Sequence, residues 1–176
     1  MNSKKQIIYP IGLQTFERVI DTGCLYIDKT DQVYSLVKGG VYYFLSRPRR
    51  FGKSLLLSTI EAYFQGRKEL FKGLKIDALE KEWERYPVLH LDLNAENYSL
   101  DGAVEKILNR HLCAWEEIYG TVDEYETLSG RFTSVIRRAH KQMGKRVVIL
   151  VDEYDKPLTA TIDNERLNDV FRNQLR

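Results

Sequence analysis

The sequence predicts an α/β fold in which helices flank a parallel sheet. Three apolar runs point to it: Val41 to Ser46 (VYYFLS), Pro87 to Leu93 (PVLHLDL) and Arg146 to Asp152 (RVVILVD). Each is short and continuously aliphatic or aromatic, as strands covered on both faces are. Helical patterns alternate with them, and strand, crossover helix, strand is the order of a parallel sheet.

The elements follow in chain order. Residues 13–23 (LQTFERVIDTG) and 28–40 (DKTDQVYSLVKGG) read as two helices, punctuated by Gly23 and the Gly39-Gly40 pair. In YIDKTD, Asp28 or Thr30 is expected to cap the second helix, with Tyr26 packed against the sheet. A helix over SLLLSTIEAYFQG follows the first strand and stops at Gly66. Between the second and third strands, 99–120 places Leu100, Val104, Ile107, His111 or Leu112, and Trp115 near one helical face. Ser99 caps its start and Gly120 ends it. Residues 125–144 (YETLSGRFTSVIRRAHKQMG) form the next helix, whose basic end suits a helix C-terminus. The last residues, NERLNDVFRNQLR, read as a helix still running at Arg176, the mark of a chain cut from something longer.

Bulk composition narrows the function classes. The 176 residues suffice for one packed core, and 43% hydrophobic with 30% charged residues is ordinary globular content. Twenty-seven basic against 25 acidic residues leave a net charge of +2, too small for a general attraction to nucleic acid or an anionic membrane. No apolar run is long enough for a signal peptide or a membrane span. Cys24 and Cys113 form no C-x-x-C pair and read as reduced thiols in packed or partly packed sites. Together these features predict a cytoplasmic protein. His90, His111 and His140 lie in three elements without ligand spacing, which argues against a histidine metal site.

Chemistry concentrates where the first strand meets its helix, in SRPRRFGKSLLL. Gly52-Lys53-Ser54 stands where a phosphate-binding loop ends in the pattern G-x-x-x-x-G-K-[ST], with Arg47 in place of the first glycine. The phosphate contacts come from later residues, because successive amides curl round an anion at a helix N-terminus. Phe51, Gly52, Lys53 and Ser54 are those residues, with Arg49, Arg50 and Leu55 flanking them in the binding segment. Lys53 suits the β- and γ-phosphates, and the Ser54 hydroxyl suits Mg²⁺. Pro48 holds Arg47 extended, which stiffens the turn that a glycine would otherwise make. The basic residues of RPRR also attract nucleic-acid phosphates, but they stand in one loop without the interleaved aromatics of a strand-binding groove.

A second motif answers the first. VVILVDE (Val147 to Glu153) is an aliphatic strand ending in two acids. Asp152 suits the Mg²⁺ shell, and Glu153, at the carboxyl end of the strand, suits a general base for an attacking water. Asp92 and Asn94 end the middle strand and read as ordinary strand-end polarity. The two motifs are expected to converge on one triphosphate-sized pocket.

Taken together, YPIGLQTFERVI, YIDKTD, YFLSRPRRFGKSLLLST, YFQGRKELFKGLKI and VILVDEYDKPL resemble the predicted AAA-ATPase-like family, bacterial P-loop proteins of the wider AAA/STAND-type group. The resemblance covers nearly the whole chain and makes Arg47 a family trait. It implies a P-loop NTPase fold over residues 1–176: a helical lead-in over 1–40, then a nucleotide-binding core over 41–176 that is incomplete at its C-terminal side. It also implies ATP with Mg²⁺, and hydrolysis in the intact protein that drives a conformational switch. The later strand with its polar sensor residue and an arginine finger are missing from the pattern. Longer relatives continue into a nuclease-like domain, which brings nucleic acid in as a partner, and oligomers fit the group. The alternative is a scaffold module that binds nucleotide or nucleic acid without hydrolysis.

Overall fold

The computed structural model describes residues 7–46, 48, 50–94, 97–98, 102–121 and 127–161. The chain divides into two compact units, Met1–Arg85 and Tyr86–Arg176. The terminal helix expected over 164–176 lies outside the described residues, as do Ser99 and Leu100.

The first unit is helical. It contains α1 (Phe16–Asp21), α2 (Thr30–Gly39), α3 (Lys53–Phe64), a short 3₁₀ turn (Lys68–Phe71) and α4 (Lys75–Leu79). Phe16, Phe71 and Ile76 are wholly buried and meet Ala62, Tyr63 and Leu70 in one cluster. The Phe16 and Phe71 rings lie 4.8 Å apart, and Tyr26 meets Phe16 edge-on at 5.2 Å. Tyr26 thus packs among helices rather than against a sheet, which corrects the expectation for YIDKTD. Burial raises its phenol above the ordinary range, opposed by a hydrogen bond with Thr59.

Asp28 organises this unit from the surface. One carboxylate oxygen accepts from the Thr30 amide at 2.9 Å and from its hydroxyl at 2.6 Å. The other accepts from the Lys75 amide at 2.8 Å, at the start of α4. The Thr30 hydroxyl oxygen in turn accepts from the Ile76 amide at 3.1 Å. Two helix starts, each with amides that lack an intrahelical partner, are therefore satisfied by adjacent side chains.

The strand expected over Val41–Ser46 is absent. Residues 42–46 carry no regular structure, and Val41, Tyr42, Tyr43, Phe44 and Leu45 are all exposed. The first unit has no strand among its described residues, so this segment has no ladder to join, and strand propensity does not suffice without a partner. The Tyr43 hydroxyl instead donates to the Leu36 carbonyl at 2.6 Å, which ties the segment back to α2.

The second unit carries the sheet. It comprises β1 (Val88–Asp92), α5 (Ala103–Tyr119), α6 (Leu128–Met143), β2 (Val148–Asp152) and α7 (Lys156–Thr159). The strands pair in parallel from Val88↔Val148 to Asp92↔Asp152. The sheet is thus two-stranded, smaller than the three runs predicted, and helices flank it. Leu89 packs with Leu112, Trp115, Val135 and Ala139, while Leu93, Tyr98, Val104 and Ile107 form an adjoining cluster. Val104, Ile107, Leu112 and Trp115 fall at helical spacing, which is why α5 was legible.

Local chemistry fixes the helix ends. The Thr127 hydroxyl accepts from the Gly130 amide at 3.1 Å, a side-chain N-cap for α6. Gly144, at φ 63°, ends it with its N–H on the His140 carbonyl. Between α5 and α6, Arg131 forms a two-pronged pair with Glu116, at 2.9 and 2.6 Å. Cys113 is exposed, which corrects its expected packing; Cys24 is partly buried, and both thiols are free. Among the described residues, no helix is long and apolar enough to cross a membrane.

Candidate functional site

The loop before α3 has an unusual backbone. Arg50 and Gly52 have φ values of 67° and 74°, while Phe51 between them does not. Alternation of this kind turns successive N–H groups toward one side and forms an anion-binding concavity. Gly52 supplies the conformation at little cost, and a Cβ there would meet nothing within 4 Å, so the loop is open. Arg50 adopts it as a non-glycine residue, and no local sequence signal announces that.

Helix α3 starts at Lys53 and has neither a side-chain cap nor an acid in its first turn. Its leading amides and positive dipole end thus meet the loop without a side-chain cap or a first-turn acid of their own, an arrangement that suits phosphate. Phe51 and Gly52 are exposed, and Lys53 and Ser54 are half-buried at the mouth of the helix. The Leu55 side chain packs onto the core of the first unit, which leaves its backbone as the part directed to any ligand. Arg47 and Arg49 lie outside the described residues.

The two acids stand in the second unit. Asp152 is the last residue of β2 and is only 7% exposed. Its Oδ1 accepts from the Glu153 amide at 2.9 Å. Glu153 then turns into the left-handed region at φ 54°, and its carbonyl accepts from the Lys156 amide at 2.9 Å. A non-glycine residue held there costs on the order of 1 kcal/mol, and such positions cluster where a side chain must be aimed.

Asp92 stands in register with Asp152 at the end of the neighbouring strand. Its Oδ1 accepts from the Asn94 amide at 2.8 Å, and His111 Nε2 lies 3.2 Å from its carbonyl oxygen. The signal that would have found this neighbour is the alignment of two strands, HLD and LVD, that end at the same level.

The loop residues belong to the first unit and the acids to the second. Within each, the expected residues are adjacent: Arg50 to Leu55 in one, Asp152 and Glu153 in the other. The donors suit their ligands chemically. Hydroxyl and carboxylate oxygens are the ligands of Mg²⁺, and a curled loop at a helix start suits a polyphosphate. Among the described residues, no group of three or more His, Cys, Asp or Glu forms a metal-binding cluster.

The sequence matches the family described as Predicted AAA-ATPase over residues 10–176. The chain belongs to the AAA-ATPase-like family. The family's name suggests a nucleotide-binding function of the AAA-ATPase kind. The chain is also 36% identical over 179 residues to an uncharacterized protein encoded in the vnfD 5′ region of Azotobacter chroococcum mcd 1. That alignment takes in 99% of this AAA-ATPase-like chain and 34% of its relative, so the chain spans about a third of the relative's length. No solved structure matches it.

Proposed function

We propose that this AAA-ATPase-like chain binds ATP with Mg²⁺ as a P-loop domain, and that the intact protein hydrolyses it to drive a conformational switch in the cytoplasm. The observation that carries the reading is the loop from Arg50 to Lys53, with left-handed Arg50 and Gly52 leading into an uncapped twelve-residue helix. Its amides, with that of Leu55 and the side chains of Arg49 and Arg50, hold the phosphates. Lys53 neutralises the β- and γ-oxygens, and Ser54 and Asp152 hold the cation. Bound Mg²⁺ supplies charge neutralisation along the triphosphate. Glu153 takes the proton of the attacking water as general base, at the carboxyl end of the strand where ligands gather in α/β sheets.

The same contacts explain a switch. Loops that embrace the γ-phosphate lose those contacts once it is cleaved, and their order changes with nucleotide state. Titration calorimetry with ATP and Mg²⁺ tests the binding step. Wild-type chain is expected to bind, and Lys53→Ala to lose at least about tenfold in affinity, equivalent to roughly 1.4 kcal/mol. Equal affinity in the two proteins rejects the phosphate role of the loop.

A further inference from the structure

We propose that Ser58 is a positioning residue of the phosphate loop: its hydroxyl joins the start of α1 to the first turn of α3 and so couples the lead-in helix to phosphate binding. The inference rests on the ATP·Mg²⁺ reading for the anion that the loop receives, and on hydrogen bonds within the first unit for the residue.

The Phe16 amide opens α1, and Thr15 before it makes no side-chain cap. An amide in the first turn has no acceptor inside its own helix. Ser58, from the middle of α3, supplies one. Its Oγ accepts from the Phe16 amide at 2.9 Å, and its hydroxyl donates to the Leu55 carbonyl at 3.0 Å. Phe16, buried against Ala62 and Tyr63 of α3, holds the two helices in that arrangement.

These bonds belong to a longer series in which every donor points from α1 toward the loop. The Val19 amide donates to the Thr15 carbonyl at 3.2 Å, and the N–H of the same Thr15–Phe16 peptide donates to Ser58. Beyond Ser58, the Leu55–Leu56 peptide accepts at its carbonyl and donates from its N–H to the Gly52 carbonyl at 3.0 Å. The next N–H, on the Gly52–Lys53 peptide, is the Lys53 amide that leads α3. Hydrogen bonds aligned in this way polarise one another, so each strengthens its neighbours. The series therefore makes the Lys53 amide a better donor to phosphate, and by linkage an anion held there tightens the bond at Phe16. The Thr59 hydroxyl donates to the same Leu55 carbonyl at 2.7 Å, but Ser58 is what connects that carbonyl to α1.

Two measurements on the 176-residue chain test the coupling. In nuclear magnetic resonance spectra without nucleotide, Ser58→Ala is expected to move the Leu56 amide proton upfield, as its bond to Gly52 weakens, while Ser58→Thr, which keeps a hydroxyl, leaves it in place. Addition of ATP with Mg²⁺ is expected to move the Phe16 amide proton downfield in wild type and to leave it unmoved in Ser58→Ala. In calorimetric titration with ATP and Mg²⁺, Ser58→Ala is expected to bind about two- to threefold more weakly, the size set by ~10–30% strengthening per bond in a series that ends on a charged group. Ser58→Thr should bind as wild type does. Ser58→Cys, whose thiol is only a weak donor and acceptor, takes the place of the alanine variant if that one does not fold. An unmoved Leu56 proton, wild-type ATP affinity in a folded Ala or Cys variant, or an equal loss in Ser58→Thr would each overturn the inference. Lys53→Ala in the same titration separates the two readings. If it loses ATP and Ser58→Ala does not, the coupling alone fails; if wild type binds no ATP, or Lys53→Ala binds as tightly as wild type, the phosphate role of the loop fails and the coupling with it.

Discussion

Single residues carry the chemistry at both ends of the proposed reaction, and backbone conformation distinguishes them from their neighbours. Lys53, Ser54 and Asp152 can be proposed from the sequence because a phosphate loop and an acidic strand end have fixed spacings. The left-handed conformations of Arg50 and Glu153 cannot. Neither arginine nor glutamate favours that region, and whatever holds them there lies outside the few residues a motif spans. Glu153 is expected to be separable from binding. Glu153→Gln preserves size and removes the basic oxygen, so ATP affinity should match wild type while phosphate release falls by roughly 10²–10⁴-fold. Calorimetry beside a phosphate-release assay measures both, and undiminished turnover would remove the general base from the scheme.

Elements were legible in proportion to their length and to whether their partners lie nearby. Helices α5 and α6 announce themselves through apolar residues at helical spacing and through Gly120 and Gly144 just beyond them. The 3₁₀ turn at Lys68–Phe71 and the short helices α4 and α7 show too few turns for any period to register. Val41–Ser46 fails for the opposite reason: its composition is that of a strand, but strand formation needs a neighbour. Between α5 and α6, the hydrogen bond from Arg131 holds the Glu116 carboxyl below the usual carboxylate range, with burial opposing it. A carboxyl lowered in the folded state contributes stability that is complete above its unfolded value, about 4.3, and that fades as pH falls through the folded one. Urea denaturation at pH 7 and pH 3 should therefore show a smaller acid-induced loss in Glu116→Gln than in wild type. Equal losses would mean that this pair contributes nothing to acid sensitivity.

At the scale of the whole molecule, near-neutral charge bears on the choice between an ATPase and a nucleic-acid scaffold. With 27 basic and 25 acidic residues, concentrated positive charge is confined to the arginine loop and the 137–146 segment (RRAHKQMGKR). Few phosphates can be neutralised at once, so any binding to single-stranded DNA should be weak and vanish by physiological salt. A fluorescence anisotropy titration across salt concentrations checks this, and retention of DNA at 150 mM salt, a condition chosen for the ~8 Å screening length there, would favour the scaffold. The family assignment spans most of the chain, whereas the relative from Azotobacter is about three times as long. One further consequence lies in Asp28, whose two oxygens receive the amide of Thr30, two positions on, and that of Lys75, 47 positions on. Because a single latch closes both helix starts, neither end can fray independently. Deuterium should enter those two amides in step in the wild-type chain and fall out of step once Asp28 is replaced by alanine.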